Sequence, residues 1–141
     1  MRAVIQRALG AQVSVAGRRV AGFEGPGLVV LVAVTHDDAE SQAQTMARKI
    51  AELRIMREDA SAGDLGAPVL VVSQFTLYGH TKKGRRPSWS AAAPAAVAEP
   101  LVTRVAQLLA QRGLPVGEGV FGADMQVELV GDGPVTVIVD T

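Results

Sequence analysis

The chain contains no cysteine. That removes disulfides, thiolate nucleophiles and zinc sites built on thiolates, and it fits a reducing compartment. Neither charge is in excess: Lys plus Arg and Asp plus Glu number 14 each, for a formal net charge of zero. No global cationic field draws the protein to nucleic acid, so any RNA contact has to be local. The longest apolar run, Leu28 to Val34, is far too short to cross a bilayer. The opening Met1-Arg2-Ala3-Val4-Ile5-Gln6-Arg7 carries an arginine inside any would-be signal core and reads as a strand. The expectation is a soluble, cytoplasmic protein with no membrane partner.

Conventional catalytic groups are also scarce. There are two histidines, His36 and His80, and neither stands beside a G-x-S-x-G pattern. His80 is available as a general base, although a lone loop histidine is more often simply solvated. No H-E-x-x-H motif or carboxylate cluster suggests a metal, and Gly25-Pro26-Gly27 is too short and wrongly patterned for a phosphate loop. The reading carries no metal and no cofactor, and it disfavours a triad or a metallohydrolase.

What is present is an ordinary globular composition, 48% hydrophobic and 20% charged over 141 residues. A chain of this length makes a single domain, residues 1–141, that buries roughly two-thirds of its unfolded surface. Alternation predicts strands at 2–8 and 11–16, a turn at Gly17-Arg18-Arg19, and a third strand near 20–23. Gly25-Pro26-Gly27 then punctuates, and Leu28 to Val34 reads as a central strand covered on both faces. Asp37 and Asp38 are the expected caps of a helix starting near Ala39, with Ala43, Met46, Ala47, Ile50 and Leu53 facing inward. Residues 57–68 look like a loop. A second helix is expected over 95–111, buried through Val97, Leu101, Val105 and Leu108 and stopped by Gly113. The end reads as a strand at 127–130, a turn at Gly131-Asp132-Gly133-Pro134, and a last strand at 135–139. These pieces, about eight strands and two main helices, give a compact mixed α/β domain with largely antiparallel sheets.

The most informative stretch is 69–88. An apolar strand, Val69-Leu70-Val71-Val72, runs into the polar block Ser73-Gln74-Phe75-Thr76, and a loop with Lys82, Lys83, Arg85 and Arg86 follows. The block offers hydroxyls, an amide, an aromatic ring and backbone N–H groups at a strand end. Such donors stabilise a developing oxyanion without any titrating side chain, and Phe75 can stack on a base. The plainer reading is a strand whose inward residues pack. Between Asp64 and Glu99 these four cations are the only charged residues. They suit contact with several phosphates, with Trp89 beside them to stack, or else they form a solvated loop. By the dipeptide alone, Gly133-Pro134 reads as a trans turn.

Five segments in order resemble the D-aminoacyl-tRNA deacylase family: Ile5-Gln6-Arg7, Ser73-Gln74-Phe75-Thr76-Leu77, Gly84-Arg85-Arg86-Pro87-Ser88, Gly122-Ala123-Asp124-Met125 and Asp132-Gly133-Pro134-Val135-Thr136. The resemblance spans nearly the whole chain. It implies a three-layer β/β/α fold and a homodimer that hydrolyses the ester between a D-amino acid and the tRNA 3′ terminus. Removal of glycine mischarged on alanine tRNA is implied too. Carried onto this sequence, Gly133-Pro134 is a cis peptide that enters the partner's active site and rejects L-amino acids. Ser73, Gln74, Phe75 and Thr76 line the pocket for the terminal adenosine, with Phe75 nearest the base. Arg7 holds the Gly-Pro loop, and Met125 joins the substrate-binding set. Gln74, Phe75 and Thr76 form the catalytic group, the Thr76 hydroxyl binding rather than attacking, since no base stands beside it in sequence. The tRNA 2′-hydroxyl assists catalysis, and Lys82, Lys83, Arg85 and Arg86 meet tRNA phosphates. The chain departs from the family at three places. Residues 57–69 are shortened, Gly131 replaces an asparagine, and Trp89 stands where phenylalanine is frequent.

Two other classes of function compete with this one. A non-catalytic tRNA-binding module would use the basic loop and Phe75 without releasing the amino acid. An esterase or amidase for small D-amino-acid derivatives would not need the four cations.

Overall fold

Long, bent strands set the shape of the molecule, seen in a computed structural model that describes residues 1–82 and 84–141. Five strands make one sheet in the order β4-β3-β2-β1-β5. They are β1 (Arg2–Val15), β2 (Arg18–Ala33), β3 (Val69–Ser73), β4 (Val116–Glu118) and β5 (Met125–Asp140). Three helices accompany them: α1 (Glu40–Glu52), α2 (Ala62–Leu65) and α3 (Ala95–Gln111). The β1–β2 and β1–β5 ladders are antiparallel, and the shorter β2–β3 and β3–β4 ladders are parallel.

The mixed α/β class is as expected, but the strand count is not. Pairs of short strands expected on either side of Gly10, of Gly25-Pro26-Gly27 and of Gly131–Pro134 are single strands that bend there. Turn-forming residues inside a paired strand mark a bulge or a close backbone approach rather than an end. Gly27 shows the reason: a Cβ there would lie 2.6 Å from the Phe23 ring and 2.7 Å from the Pro68 carbonyl oxygen. Only glycine lets β2 curl this tightly.

The bends create the layers. One face of the sheet presents Ile5, Leu28, Val30, Val32, Val69 and Val71 to Met46, Ile50, Val105 and Leu109 of the helices. Leu28, Ile50 and Leu109 have no exposed surface, and burial of each such side chain contributes roughly 1.5–3 kcal/mol. The opposite face carries Val29, Leu70 and Val72, covered by Ala11 and Val13 with Ala21 and Phe23 packed alongside. Those covering residues come from the far halves of β1 and β2. The sheet therefore folds over itself beneath the helical layer, which is the β/β/α arrangement.

Local details correct the sequence reading in three places. Neither Asp37 nor Asp38 caps α1. Gln42 Oε1 accepts the Ala39 N–H at 3.0 Å, while the Asp38 carboxylate accepts from the Met1 ammonium at 2.5 Å and the Thr35 N–H at 2.7 Å. Helix α3 spans the expected residues, but its buried side is Ala98, Val102, Val105, Ala106 and Leu109, with Val97 exposed. The small Ala98 and Ala106 let α3 settle against the core, so the stripe is turned from the one drawn through the large residues. Finally, 57–68 is not all loop. A 3₁₀ turn occupies Arg57–Asp59, and Ser61 Oγ caps α2 by accepting the Asp64 N–H at 3.0 Å.

Candidate active site

The polar block lies where β3 leaves the sheet. Leu70, Val71 and Val72 are buried on both faces of this inner strand, so it cannot drift. Its ladder with β2 reaches Val32–Ser73, and the Gln74 N–H adds one more bond to the Val32 carbonyl at 2.8 Å. Beyond it Phe75–Tyr78 forms a 3₁₀ turn, closed by the Leu77 N–H on the Gln74 carbonyl at 3.2 Å and the Gly79 N–H on the Thr76 carbonyl at 3.0 Å. The first N–H groups of a helical turn have no internal acceptor. Those of Phe75 and Thr76 have none among the described residues.

Side chains of the block are arranged as a surface. Gln74 Nε2 donates to Thr76 Oγ1 at 2.6 Å. A carboxamide donor takes no proton, so this contact orients the hydroxyl without activating it. Phe75 is 57% exposed, an unusual state for so large an apolar ring on a rigid turn. It meets Trp89 edge to face, with centroids 5.8 Å apart and planes at 71°. The turn is pinned from behind by Arg2, whose Nη1 donates to the Leu77 carbonyl at 3.4 Å. That guanidinium also stands 5.4 Å from the Tyr78 ring centroid and pairs with Asp140 at 2.8 Å.

A cleft of about 290 Å³ opens beside Gln74, walled by Val4, Val29, Leu31, Val127 and Leu129 with Gln6 as its second amide. Gln6 Nε2 donates to the Arg7 carbonyl at 3.1 Å, and its Oε1 accepts from Thr136. Gln6 was visible in sequence only as part of a motif. Its position opposite Ile5 on an alternating strand is the signal that places it on this face. A larger concavity of about 430 Å³ at the β4 edge touches none of the block.

The Gly-Pro segment is a bulge of β5. Gln6 pairs with Thr136 and Ala8 with Gly131, so residues 132–135 stand out from the ladder. Gly133 and Pro134 are exposed and joined by a cis peptide. Asp132 is buried at 4% exposure and anchors them. Arg7 Nε donates to the Asp132 carbonyl at 3.1 Å and Arg7 Nη1 to the Ile55 carbonyl at 3.0 Å. Arg57 takes both Asp132 carboxylate oxygens, Nε at 3.1 Å and Nη2 at 2.5 Å. The Arg57 bond holds the Asp132 carboxyl below its ordinary value against the opposing cost of burial, and the charges of Arg57 and Arg7 add to it. Because the folded-state value is depressed, this stabilisation is complete above the ordinary carboxylate range. It is lost as pH falls through the lower folded-state value.

Of the remaining expected residues, Met125 is half-buried and packs in the second core beside Val72, one residue from the block. Lys82, Arg85 and Arg86 are exposed on a loop closed by the His80–Ser88 bridge, and no described carboxylate pairs with them. Lys83 lies outside the described residues. His80 is exposed and contributes its backbone to that bridge. Among the described residues no three His, Asp or Glu side chains group as a metal site, and no helix is long and apolar enough to cross a membrane. Arg57 had no sequence signal, because its partner is 75 positions away.

Known proteins match this geometry over the whole chain. The sequence model of the D-Tyr-tRNA(Tyr) deacylase family matches residues 4–140. A D-aminoacyl-tRNA deacylase of Kineococcus radiotolerans is 59% identical over 140 residues, 99% of each chain. That of Acidothermus cellulolyticus is 60% identical over the same length and share. The solved structure of a c-Myc DNA unwinding element binding protein superposes with a TM-score of 0.92 at 34% identity, covering 100% of this chain and 99% of its own. A probable eukaryotic D-amino acid tRNA deacylase, 18% identical, shares the fold with a TM-score of 0.85 over 99% and 98% of the two chains.

Proposed function

The chain belongs to the D-Tyr-tRNA(Tyr) deacylase family, and we propose that it hydrolyses D-aminoacyl-tRNA, and glycine mischarged on alanine tRNA, while sparing L-aminoacyl esters. The observation that carries this reading is the outward-facing block at the end of β3. Exposed Phe75 offers a face for the terminal adenine, and among the described residues the N–H groups of Phe75 and Thr76 have no acceptor. In the reaction water adds to the ester carbonyl, and the ribose oxygen leaves with a proton. The products are the free amino acid and tRNA with its terminal hydroxyl restored.

The scarcity of titrating groups supports catalysis by placement. The adenosine's own 2′-hydroxyl, adjacent to the ester, assists the attack, and backbone N–H groups meet the oxyanion. Thr76 binds rather than attacks, because among the described residues its side-chain partner is an amide donor, Gln74. Thr76→Ala is accordingly expected to keep kcat within about fivefold of wild type, since only a hydrogen bond of about 1 kcal/mol is removed. A collapse in single-turnover rate with tRNA affinity intact would make Thr76 the nucleophile.

Chirality is enforced by exclusion. The exposed Gly133-Pro134 bulge enters the site of a second copy, where its main-chain carbonyls stand near the substrate Cα and leave no space for an L side chain. A D side chain points away, and glycine has none to reject. What supports the dimer is the sheet edge: β5 is one of the two edge strands, and Val127, Leu129, Val130 and Ile138 along it are exposed. Uncovered apolar edges of this length invite a partner strand. The basic loop holds tRNA phosphates, and a substrate charged in translation fits the cytoplasm.

The deciding experiment incubates the pure protein, with chelator present, with D-tyrosyl-, L-tyrosyl- and glycyl-tRNA and follows amino-acid release. Loss of the D and glycyl esters with the L ester spared is expected. Binding of tRNA with release of none would leave a non-catalytic module.

A further inference from the structure

The Gly-Pro bulge is held by two arginines of different kinds, and only one belongs to the sheet. Arg7 of β1 is 8% exposed and grips main-chain carbonyls, those of Asp132 and Ile55. Arg57 comes from outside the sheet, its side chain 68% exposed, and grips the Asp132 carboxylate with two nitrogens. A planar guanidinium on a carboxylate fixes orientation as well as distance, which a single contact cannot do.

The backbone carrying Arg57 is itself unusual. Glu58 and Asp59 have φ of 58° and 55°, a left-handed conformation that side chains other than glycine disfavour. The turn is closed by the Met56 N–H on the Ala60 carbonyl at 2.9 Å, and the Arg54–Asp59 pair at 3.2 Å braces it outside. Consecutive left-handed residues persist only where their surroundings over-determine them. Here the consequence is to present Arg57 to the anchor of the bulge.

We propose that Arg57 is a positioning residue for deacylation, whose paired hydrogen bonds to Asp132 set the orientation of the Gly133-Pro134 bulge and thereby the discrimination between D and L esters. This rests on the deacylase reading above. Arg7 keeps the bulge attached when Arg57 is lost, because it still holds the Asp132 carbonyl and lies 3.1 Å from the carboxylate. The bulge then turns about that attachment. A steric filter that turns loses selectivity before it loses substrate.

The test uses full-length Arg57→Ala and Arg57→Lys proteins with two readouts. Arg57→Ala is expected to lower kcat on D-tyrosyl-tRNA by about tenfold and the D-over-L ratio of kcat/KM by about tenfold, the scale of a sub-ångström misplacement. KM should stay within about twofold, and hydrogen exchange of the Gly131, Asp132, Gly133 and Val135 amides should speed up. Arg57→Lys is expected to fall between, since an ammonium lacks the two-pronged fit. Unchanged exchange in a folded Arg57→Ala protein overturns the clamp whatever its activity. Faster exchange with an unchanged D-over-L ratio overturns the link to selectivity. Wild-type protein that leaves the D ester intact instead overturns the deacylase reading, and the exchange result still decides the clamp.

Discussion

Gly133→Ala is expected to lower kcat on D-aminoacyl-tRNA by about 100-fold, the scale of an ångström-sized displacement at a reacting centre, with tRNA affinity held within about twofold. Gly133 has φ of +117°, a region that L side chains rarely adopt. A Cβ there would lie 2.6 Å from Arg7 Nη2. A long side chain usually swings aside from such a contact, but Arg7 is buried and committed at both ends, to the Ile55 and Asp132 carbonyls. The alanine therefore has to displace the bulge, or break the bonds that hold it. The basic loop and Phe75 are untouched, which is why affinity should survive. Single-turnover deacylation beside a tRNA binding curve measures both, with a thermal melt to confirm the fold. A variant with wild-type turnover and an unchanged D-over-L ratio would remove the bulge from the site.

The second large effect concerns the basic loop. Replacing Lys82, Arg85 and Arg86 together by alanine is expected to weaken tRNA binding and to flatten its salt dependence. Each neutralised phosphate contributes about 0.7–0.9 to the slope of log K against log[salt]. Three contacts thus account for a slope change of about 2–3, or about 20- to 40-fold in affinity between 50 and 200 mM salt. These residues are exposed and have no carboxylate partner among the described residues, so their removal breaks no ion pair inside the protein. The loss should appear in KM and fade at high salt. An unchanged slope would show that the phosphates are held elsewhere. Equal turnover of a D-tyrosine ester without RNA, alongside undiminished tRNA processing, would favour an esterase of small substrates.

The first prediction joins residues far apart in the chain, Gly133 with Arg7 and Ile55, whereas the second rests on near neighbours, and the two were not equally legible in the sequence. The cations of the loop are contiguous, so a charge count found them. The block at 73–76 was legible for a similar reason: an apolar strand that turns polar has to be leaving the core. Burial periodicity placed α1 and α3 correctly but misjudged which side of α3 is inward, because alanines pack closely without standing out in a hydrophobic pattern. The strand count failed where glycine and proline were read as ends of strands.

The sequence by itself determined the class of the domain, its two main helices, the polar block and the basic loop. Each depends on side-chain chemistry repeated over a few neighbouring residues. Tertiary structure alone decided that β1, β2 and β5 bend without breaking, so that the sheet covers its own second face. It alone also brought Arg57 onto Asp132, and it decided which carbonyls Arg7 holds. Those outcomes turn on close approach between distant segments: a missing Cβ at Gly27, and a carboxylate that meets its guanidinium only after the chain has closed. No local pattern encodes such distances, because their energies exist only once the partners are in place.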